Sequence, residues 1–230
     1  MKQDARAAAL QALLQVEESE GYSNIVIDKT IRQMVLPPRE AALASALFYG
    51  VLEKRIAIDW ALNRFSKKPV EKLDAPVREL LRLAVYQLLY MDKIPDSAAV
   101  NEAVKACRQA GKSSASGFVN GVLRNFLRHR ETLPWPETGV EGLAVRYSCP
   151  AHWITFWQKA YGEDFCHHLL ESLTHQPFLY GRVNPLRGSV EDFIEKAAET
   201  GMKVTPVESV PGAVRLEHTG SVAEHPLYQQ

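Results

Sequence analysis

Cysteine is scarce in this chain of 230 residues. Its three, Cys107, Cys149 and Cys166, are scattered and form no CxxC pair. That is too few for a disulfide framework, and it removes the common zinc-finger spacings. Long apolar runs are missing as well. The longest mostly apolar stretch, Ala41 to Leu52, spans about 12 residues, against ~20 for a membrane helix. The opening MKQDARAAALQALLQV has glutamines through its apolar part and no small-residue cleavage site, unlike a secretory signal. Together these absences predict a reduced, cytoplasmic, soluble protein without a membrane segment. No GxGxxG follows a strand-like run and no GxxxxGK[ST] occurs, so nothing in the sequence looks built to hold a nucleotide cofactor. Net charge is the last thing lacking, with 27 basic and 27 acidic residues. That zero is a cancellation. Residues 1–132 hold 20 Lys and Arg against 15 Asp and Glu, whereas residues 133–230 hold 7 against 12. Halves of opposite sign point to different partners.

What is present is helix after helix. Ala5, Ala8, Ala9, Ala12, Leu13 and Val16 recur with a helical period. Ser23 reads as the N-cap of a second helix through Val35. Pro37-Pro38 closes that helix and opens a third, through Leu52. A fourth spans Arg55 to Phe65. Asp74 with Pro76 starts a fifth that is apolar almost all round beyond Leu83, which places it at the centre of a core. Pro95-Asp96 opens a sixth, closed at Gly111. Ser113 or Ser114 caps a seventh, running to Arg130. Seven helices joined by short turns make an all-helical bundle over residues 1–132.

ETLPWPETGVEG (131–142) breaks the pattern with two prolines and two glycines, which places the domain linker at 133–142. Beyond it, helices are expected at Pro150–Tyr161 and Glu163–Thr174. A β-α-β-β run follows: strand Phe178–Asn184, a helix capped by Ser189 and stopped by Gly201, then strands Met202–Val207 and Ala213–Leu216. The fold class is therefore mainly α, a seven-helix bundle followed by a small α+β domain at 143–217. Residues 218–230 read as a linker that leads nowhere.

Chemistry-bearing clusters are sparse. Cys166, His167 and His168 adjoin, with His175 seven residues on, but neighbouring helical residues diverge by about 100° and no metal-ligand spacing appears. No metal site is assigned. Cys149 has only Arg146 nearby to activate a thiolate, so it is not assigned as a nucleophile. Arg78 and Arg82 in the fifth helix read as structural, paired with Glu79 or with neighbouring helices.

The seventh helix, GFVNGVLRNFLRHR, carries the main functional signal. Val119, Val122, Leu123, Phe126 and Leu127 form its core face. Asn120, Arg124 and Arg128 follow at i, i+4 and i+8 as a polar stripe. Gly121 in mid-helix costs about 1 kcal/mol relative to alanine, which points to close approach at that backbone. Lys112 precedes this helix, and Lys2 and Arg6 begin the first. Arginines beside an amide suit phosphate and base-edge contact on an unpaired strand. Composition alone favours a merely solvated basic face.

The strings ARAAALQAL, LRLAVYQLLY, VNEAV and GFVNGVLRNFL resemble the NusB-type RNA-binding domain, nearly end to end over 1–132. LAVRYSCPAHWITFWQKAYG, QPFLYGRVNPLRGSVEDFIEKAAETGMKV and PGAVRL resemble the segment that precedes the catalytic domain in bacterial 16S rRNA (cytosine-5) methyltransferases, although the family has histidine where Cys149 stands. The resemblance implies RNA, specifically 16S rRNA, as partner, and a catalytic domain or polypeptide acting alongside. In such enzymes an S-adenosylmethionine-binding domain with a glycine-rich loop and catalytic cysteines follows. None of its motifs is here, so no catalytic or cofactor residue carries over and the chain alone is expected to be inactive. The resemblance nominates Arg6, Phe118 and Asn120 for RNA contact, to which the basic stripe adds Lys112, Arg124 and Arg128. Core packing is the competing role for Phe118, and helix stabilisation that for Asn120. A NusB-like antitermination or RNA-scaffolding factor without enzymology is the alternative, and a purely protein-binding helical module a third. The acidity of the second half argues against an extended nucleic-acid grip there and suggests an adaptor.

Overall fold

In the computed structural model, residues 4–19, 21–175, 178–217 and 225–229 are described. They form two compact units, residues 1–171 and 172–230.

The first unit opens with α1 (Ala5–Ser19), α2 (Ser23–Gln33), α3 (Pro38–Glu53) and α4 (Arg55–Asn63). It continues with α5 (Ala75–Tyr90), α6 (Asp96–Gln109) and α7 (Ser116–His129). These seven make the expected bundle. Ala5, Ala8 and Ala44 are fully buried between α1 and α3, small enough to let the two helices close up. The Ala5 amide donates to Glu40 Oε2 (2.8 Å), holding the start of α1 against the first turn of α3. Helix α5 is the hub: Leu80, Leu81, Leu83, Ala84 and Val85 are buried, and so are its polar Arg78, Glu79, Arg82 and Gln87.

Those buried charges are satisfied by one another. The Arg82 guanidinium forks onto Asp59 of α4 (Nε–Oδ1 2.8 Å, Nη2–Oδ2 2.6 Å) and donates to Glu79 Oε1 (2.5 Å). Arg78 pairs with Glu17 of α1 and donates to the Leu73 carbonyl at 2.9 Å. Both arginines are therefore structural, as their place on α5 suggests.

Some local signals misled. Ser23 is the first residue of α2 rather than its cap, because Tyr22 takes the capping position with no side-chain bond. That helix also ends at Gln33, and Val35 turns into the left-handed region (φ +49°) ahead of Pro37. Neither Ser113 nor Ser114 caps α7; they lie in a 3-10 turn, Ser113–Ala115, and Ala115 holds the cap position.

The chain after α7 does not leave the bundle. Trp135 stacks on Trp60 of α4 (4.9 Å between rings), and the Arg64 guanidinium lies over the Trp60 ring at 4.4 Å. Helix α8 (Gly139–Tyr147) begins inside the expected linker and ends on Ser148, in the left-handed region at φ +53°. Ser148 Oγ accepts from the Ile56 and Ala57 amides (3.0 and 3.4 Å), supplying from 92 residues away the cap that α4 lacks locally. With α9 (Ala151–Tyr161) and α10 (Glu163–Ser172), α8 encloses a small core of Leu143, Ile154, Cys166 and Leu170. The first compact unit thus runs on through these helices to residue 171.

The second unit is β1 (Leu179–Arg182), α11 (Val190–Glu199), β2 (Lys203–Pro206), β3 (Ala213–Glu217) and the short α12 (Pro226–Gln229). The sheet is antiparallel throughout, in the order β1-β3-β2. Ser189 caps α11 in a reciprocal box with Asp192, both bonds 3.0 Å, and Gly201 ends the turn after it at φ +79°. Within the stretch that read as a trailing linker, residues 218–224 and 230 lie outside the described residues.

Candidate nucleic-acid interface

Helix α7 is fixed on one side and open on the other. Val119, Val122, Leu123 and Phe126 are buried against the bundle, with Phe65 packed edge-on to Phe126. On the outer side Gly117, Gly121, Arg124 and Arg128 are exposed at i, i+4, i+7 and i+11, one continuous strip. Asn120 flanks it, half-buried, and its Oδ1 accepts from Arg124 Nε at 3.0 Å. Arg128 Nε leans on the Arg124 carbonyl at 3.4 Å. Arg128 and His129 in the last turn also suit the negative end of the helix dipole.

A side-chain carbon built at Gly117 or Gly121 would meet nothing within 4 Å. Nothing among the described residues therefore requires glycine at either position, and both are exposed. Among the described residues the close approach suggested by Gly121 has no source.

Among the described residues, neither Arg124 nor Arg128 takes part in an ion pair, in contrast to Arg78, Arg82 and Arg130. Both guanidiniums keep donors directed to solvent.

The other nominated residues sit differently. Arg6, half-buried on α1, donates from Nε to Gln87 Oε1 of α5 at 2.8 Å. It lines a cleft with Asp4, Glu102 and Gln109, acids and amides rather than the α7 strip. Lys112, in the turn before α7, pairs with Asp74 (3.0 Å). Its carbonyl accepts from Cys107 Sγ (3.2 Å) and from the Ala115 amide (2.9 Å). Phe118 packs against the main core. Hydrogen bonds thus link Asn120, Arg124 and Arg128, whereas Arg6, Lys112 and Phe118 are engaged within the bundle. Lys2 is outside the described residues.

The three thiols are the reverse of activated. Burial pushes Cys107, Cys149 and Cys166 all upward, and Cys149 is raised further by Cys166. Cys166 is buried while His167 and His168 are exposed, so that run does not converge. Among the described residues no three His, Cys, Asp or Glu are grouped to hold a metal ion, and no helix is long and apolar enough to cross a membrane.

With this geometry in place, comparison with known proteins is decisive for the family. The model of the NusB family matches residues 3–128. The chain belongs to the NusB family. In it, the NusB-type bundle is followed by a match at residues 149–223 to the RsmF/B-like methyltransferase ferredoxin-like domain. The probable ribosomal RNA small subunit methyltransferase B of Bacillus subtilis (strain 168) is 34% identical over 218 residues, 94% of this chain and 48% of the relative. The ribosomal RNA small subunit methyltransferase B of Escherichia fergusonii is 31% identical, covering 100% of this chain and 52% of the relative. The chain spans about half the length of the curated relatives it matches. Among solved structures, PH0851 superposes with a TM-score of 0.72 at 19% identity, over 99% of this chain and 51% of that one, a likeness of fold. NusB of T. maritima matches 54% of this chain and 88% of its own, with a TM-score of 0.51 and 25% identity.

Proposed function

We propose that this chain is the RNA-recognition part of a small-subunit rRNA (cytosine-5) methyltransferase, and that the outer strip of α7 holds the RNA. The observation that carries this reading is that Arg124 and Arg128 are exposed and, among the described residues, free of carboxylate partners, on a helix face bared by Gly117 and Gly121. Cations spaced along such a face meet successive phosphates, and the missing side chains let a sugar-phosphate backbone lie close. Asn120, already holding Arg124, keeps its amide N–H groups for a base edge or a 2′-hydroxyl. Arg6, Lys112 and Phe118 are held by Gln87, Asp74 and the main core and serve the fold in this reading, and 16S rRNA is the RNA suggested by the relatives. In this reading residues 1–132 recognise RNA, 133–142 connect, and 143–217 serve as the adaptor to a catalytic domain or polypeptide. A cytoplasmic setting follows from the substrate.

S-adenosylmethionine is the methyl donor expected of such enzymes. The residues described do not fit it: their one sheet is antiparallel and offers no parallel strand, glycine loop and helix turn to cradle a nucleoside. The chemistry of these residues is binding and orientation. A free-standing antitermination factor would use the match at 3–128 and leave that at 149–223 without a role.

Filter binding of this chain to 16S rRNA fragments, with transfer RNA as competitor, tests the reading. A fragment retained against excess competitor supports it, and indiscriminate retention overturns it. Incubation with labelled S-adenosylmethionine and unmodified 16S rRNA should give background incorporation, and methylation by these residues alone would contradict the assignment.

A further inference from the structure

The second unit is acidic by composition, yet its charges are segregated. Glu191, Asp192, Glu195 and Glu199 all lie on α11, accompanied there only by Lys196. Helix α11 covers one face of the sheet, where Val214 is buried and Leu216 and Phe193 line the same apolar hollow. The opposite face is open. Pairing sets Tyr180 and Thr205 opposite Arg215, and Lys203 opposite Glu217. Strand alternation then brings Phe178, Tyr180, Arg182, Lys203 and Arg215 to this side, with Tyr180 and Arg182, on the edge strand β1, also bordering the hollow. The single acid among them, Glu217, is already held by Arg215 Nη2 (2.8 Å) and Lys203 Nζ (3.5 Å).

Two aromatic rings stand bare on this face, Phe178 at 57% and Tyr180 at 58% exposure. They sit 6.5 Å apart, edge to face. The Arg215 guanidinium lies 4.4 Å from the centre of the Phe178 ring, so a flat cation and two rings are assembled across strands far apart in sequence. An exposed apolar pair costs free energy unless something covers it, and the surplus of cations selects an anionic occupant with flat surfaces. Single-stranded RNA has both properties, since its bases stack on aromatic and guanidinium planes and its phosphates seek Arg and Lys.

We propose that the open face of the β1-β3-β2 sheet is a second RNA surface that takes unpaired nucleotides, stacking one base on Tyr180 while Arg182, Lys203 and Arg215 receive the backbone. The proposal rests on the RNA-binding reading for the nature of its ligand but uses none of the α7 residues. The acidic helix behind the sheet repels the strand from the other side, which fixes the face it enters.

The test uses the whole chain and a fluorescein-labelled mixed-sequence RNA of about 12 nucleotides, with a duplex of the same sequence as control. Tyr180→Ala should weaken single-strand binding about tenfold, from one lost base stack. It should leave duplex binding and the salt dependence unchanged, and Tyr180→Trp should retain affinity. With 4-thiouridine in the strand, irradiation should join RNA to the stretch holding Phe178 and Tyr180. Crosslinks confined to residues 1–171, or affinity indifferent to Tyr180→Ala, overturn the second surface, leave the α7 reading standing and assign the face to a protein contact. Absence of any RNA binding overturns both. Tyr180 is exposed, so melting curves of both variants should match the parent and separate lost contact from lost fold.

Discussion

Arg82 reaches back one turn of α5 to Glu79, Nη1 to Oε1 at 2.5 Å, and both side chains are buried, at 8% and 4% exposure. Burial pushes the Glu79 carboxyl up despite the pull of Arg82. Burial likewise works against the charge of Arg82, but its bonds to Asp59 and Glu79 overcome it and raise its pKa. A pair of this kind contributes little over an apolar pair and punishes the loss of one partner. Glu79→Ala should cost about 3–5 kcal/mol in urea unfolding, because Arg82 and Arg78 lose a buried counter-charge. Replacing Glu79, Arg82 and Asp59 together by apolar residues of similar size should cost less than that single change.

The same network sets an acid limb. The hydrogen bond from Arg78 holds the Glu17 carboxyl below its usual range, against a smaller opposing effect of burial. A depressed carboxyl contributes stability that is complete above its unfolded value and is lost as pH falls through the folded one. Glu79, raised, acts in the opposite sense, favouring the fold below its unfolded value and losing that effect as pH rises through its folded one. Melting temperature followed between about pH 3 and pH 6 should therefore fall less steeply on the acid side for Glu17→Gln than for the parent.

Two glycines should respond to alanine with opposite signs. At Gly50 of α3 a new Cβ would lie 2.0 Å from the Tyr86 ring, so the ring must shift, and Gly50→Ala should destabilise by about 1–2 kcal/mol even after the gain in helix propensity. At Gly121 there is open space, and Gly121→Ala should stabilise by up to about 1 kcal/mol. If RNA lies close to that backbone, the stabilised Gly121→Ala variant binds it less well. Thermal melts and binding isotherms on the same two samples check both halves.

Arg6 and Phe118 should behave as scaffold. Arg6→Ala leaves the buried Gln87 carbonyl oxygen without its 2.8 Å partner, a loss of about 1–2 kcal/mol. Phe118→Ala thins the packing beneath α7 and should lower the melting temperature by several degrees. Both variants should keep the RNA affinity of the parent when assayed well below their melting points. A loss of binding without loss of stability would move them into the contact surface.

Much of this architecture is readable from periodicity. The apolar face of α7 and its Asn120, Arg124, Arg128 stripe follow from spacing alone, as do the cap at Ser189 and the stop at Gly201. What escapes is set by partners distant in sequence. Helix α8 opens at Gly139 in a stretch rich in turn residues, and it is held by the Trp60–Trp135 stack and by Ser148 capping α4, neither of which leaves a local trace. Those contacts carry the first compact unit on to residue 171. Arg6 and Lys112 read as free cations until Gln87 and Asp74 are found beside them. The sheet face is half legible: Phe178, Tyr180 and Arg182 alternate in plain sight, but Arg215 joins them only through β3. Net charge concealed it, because four of the acids of that unit collect on α11.

The central claim, that the outer strip of α7 meets RNA phosphates, is tested most directly by salt. Affinity for a single-stranded 16S rRNA segment should fall linearly with salt on a log–log plot, by ~0.7 for each phosphate engaged. If Arg124 and Arg128 each meet one phosphate, replacing both by alanine should flatten the slope by about 1.4 and weaken binding across sequences. That flattening should come with an unchanged melting temperature. A double variant with the parent's slope would contradict it.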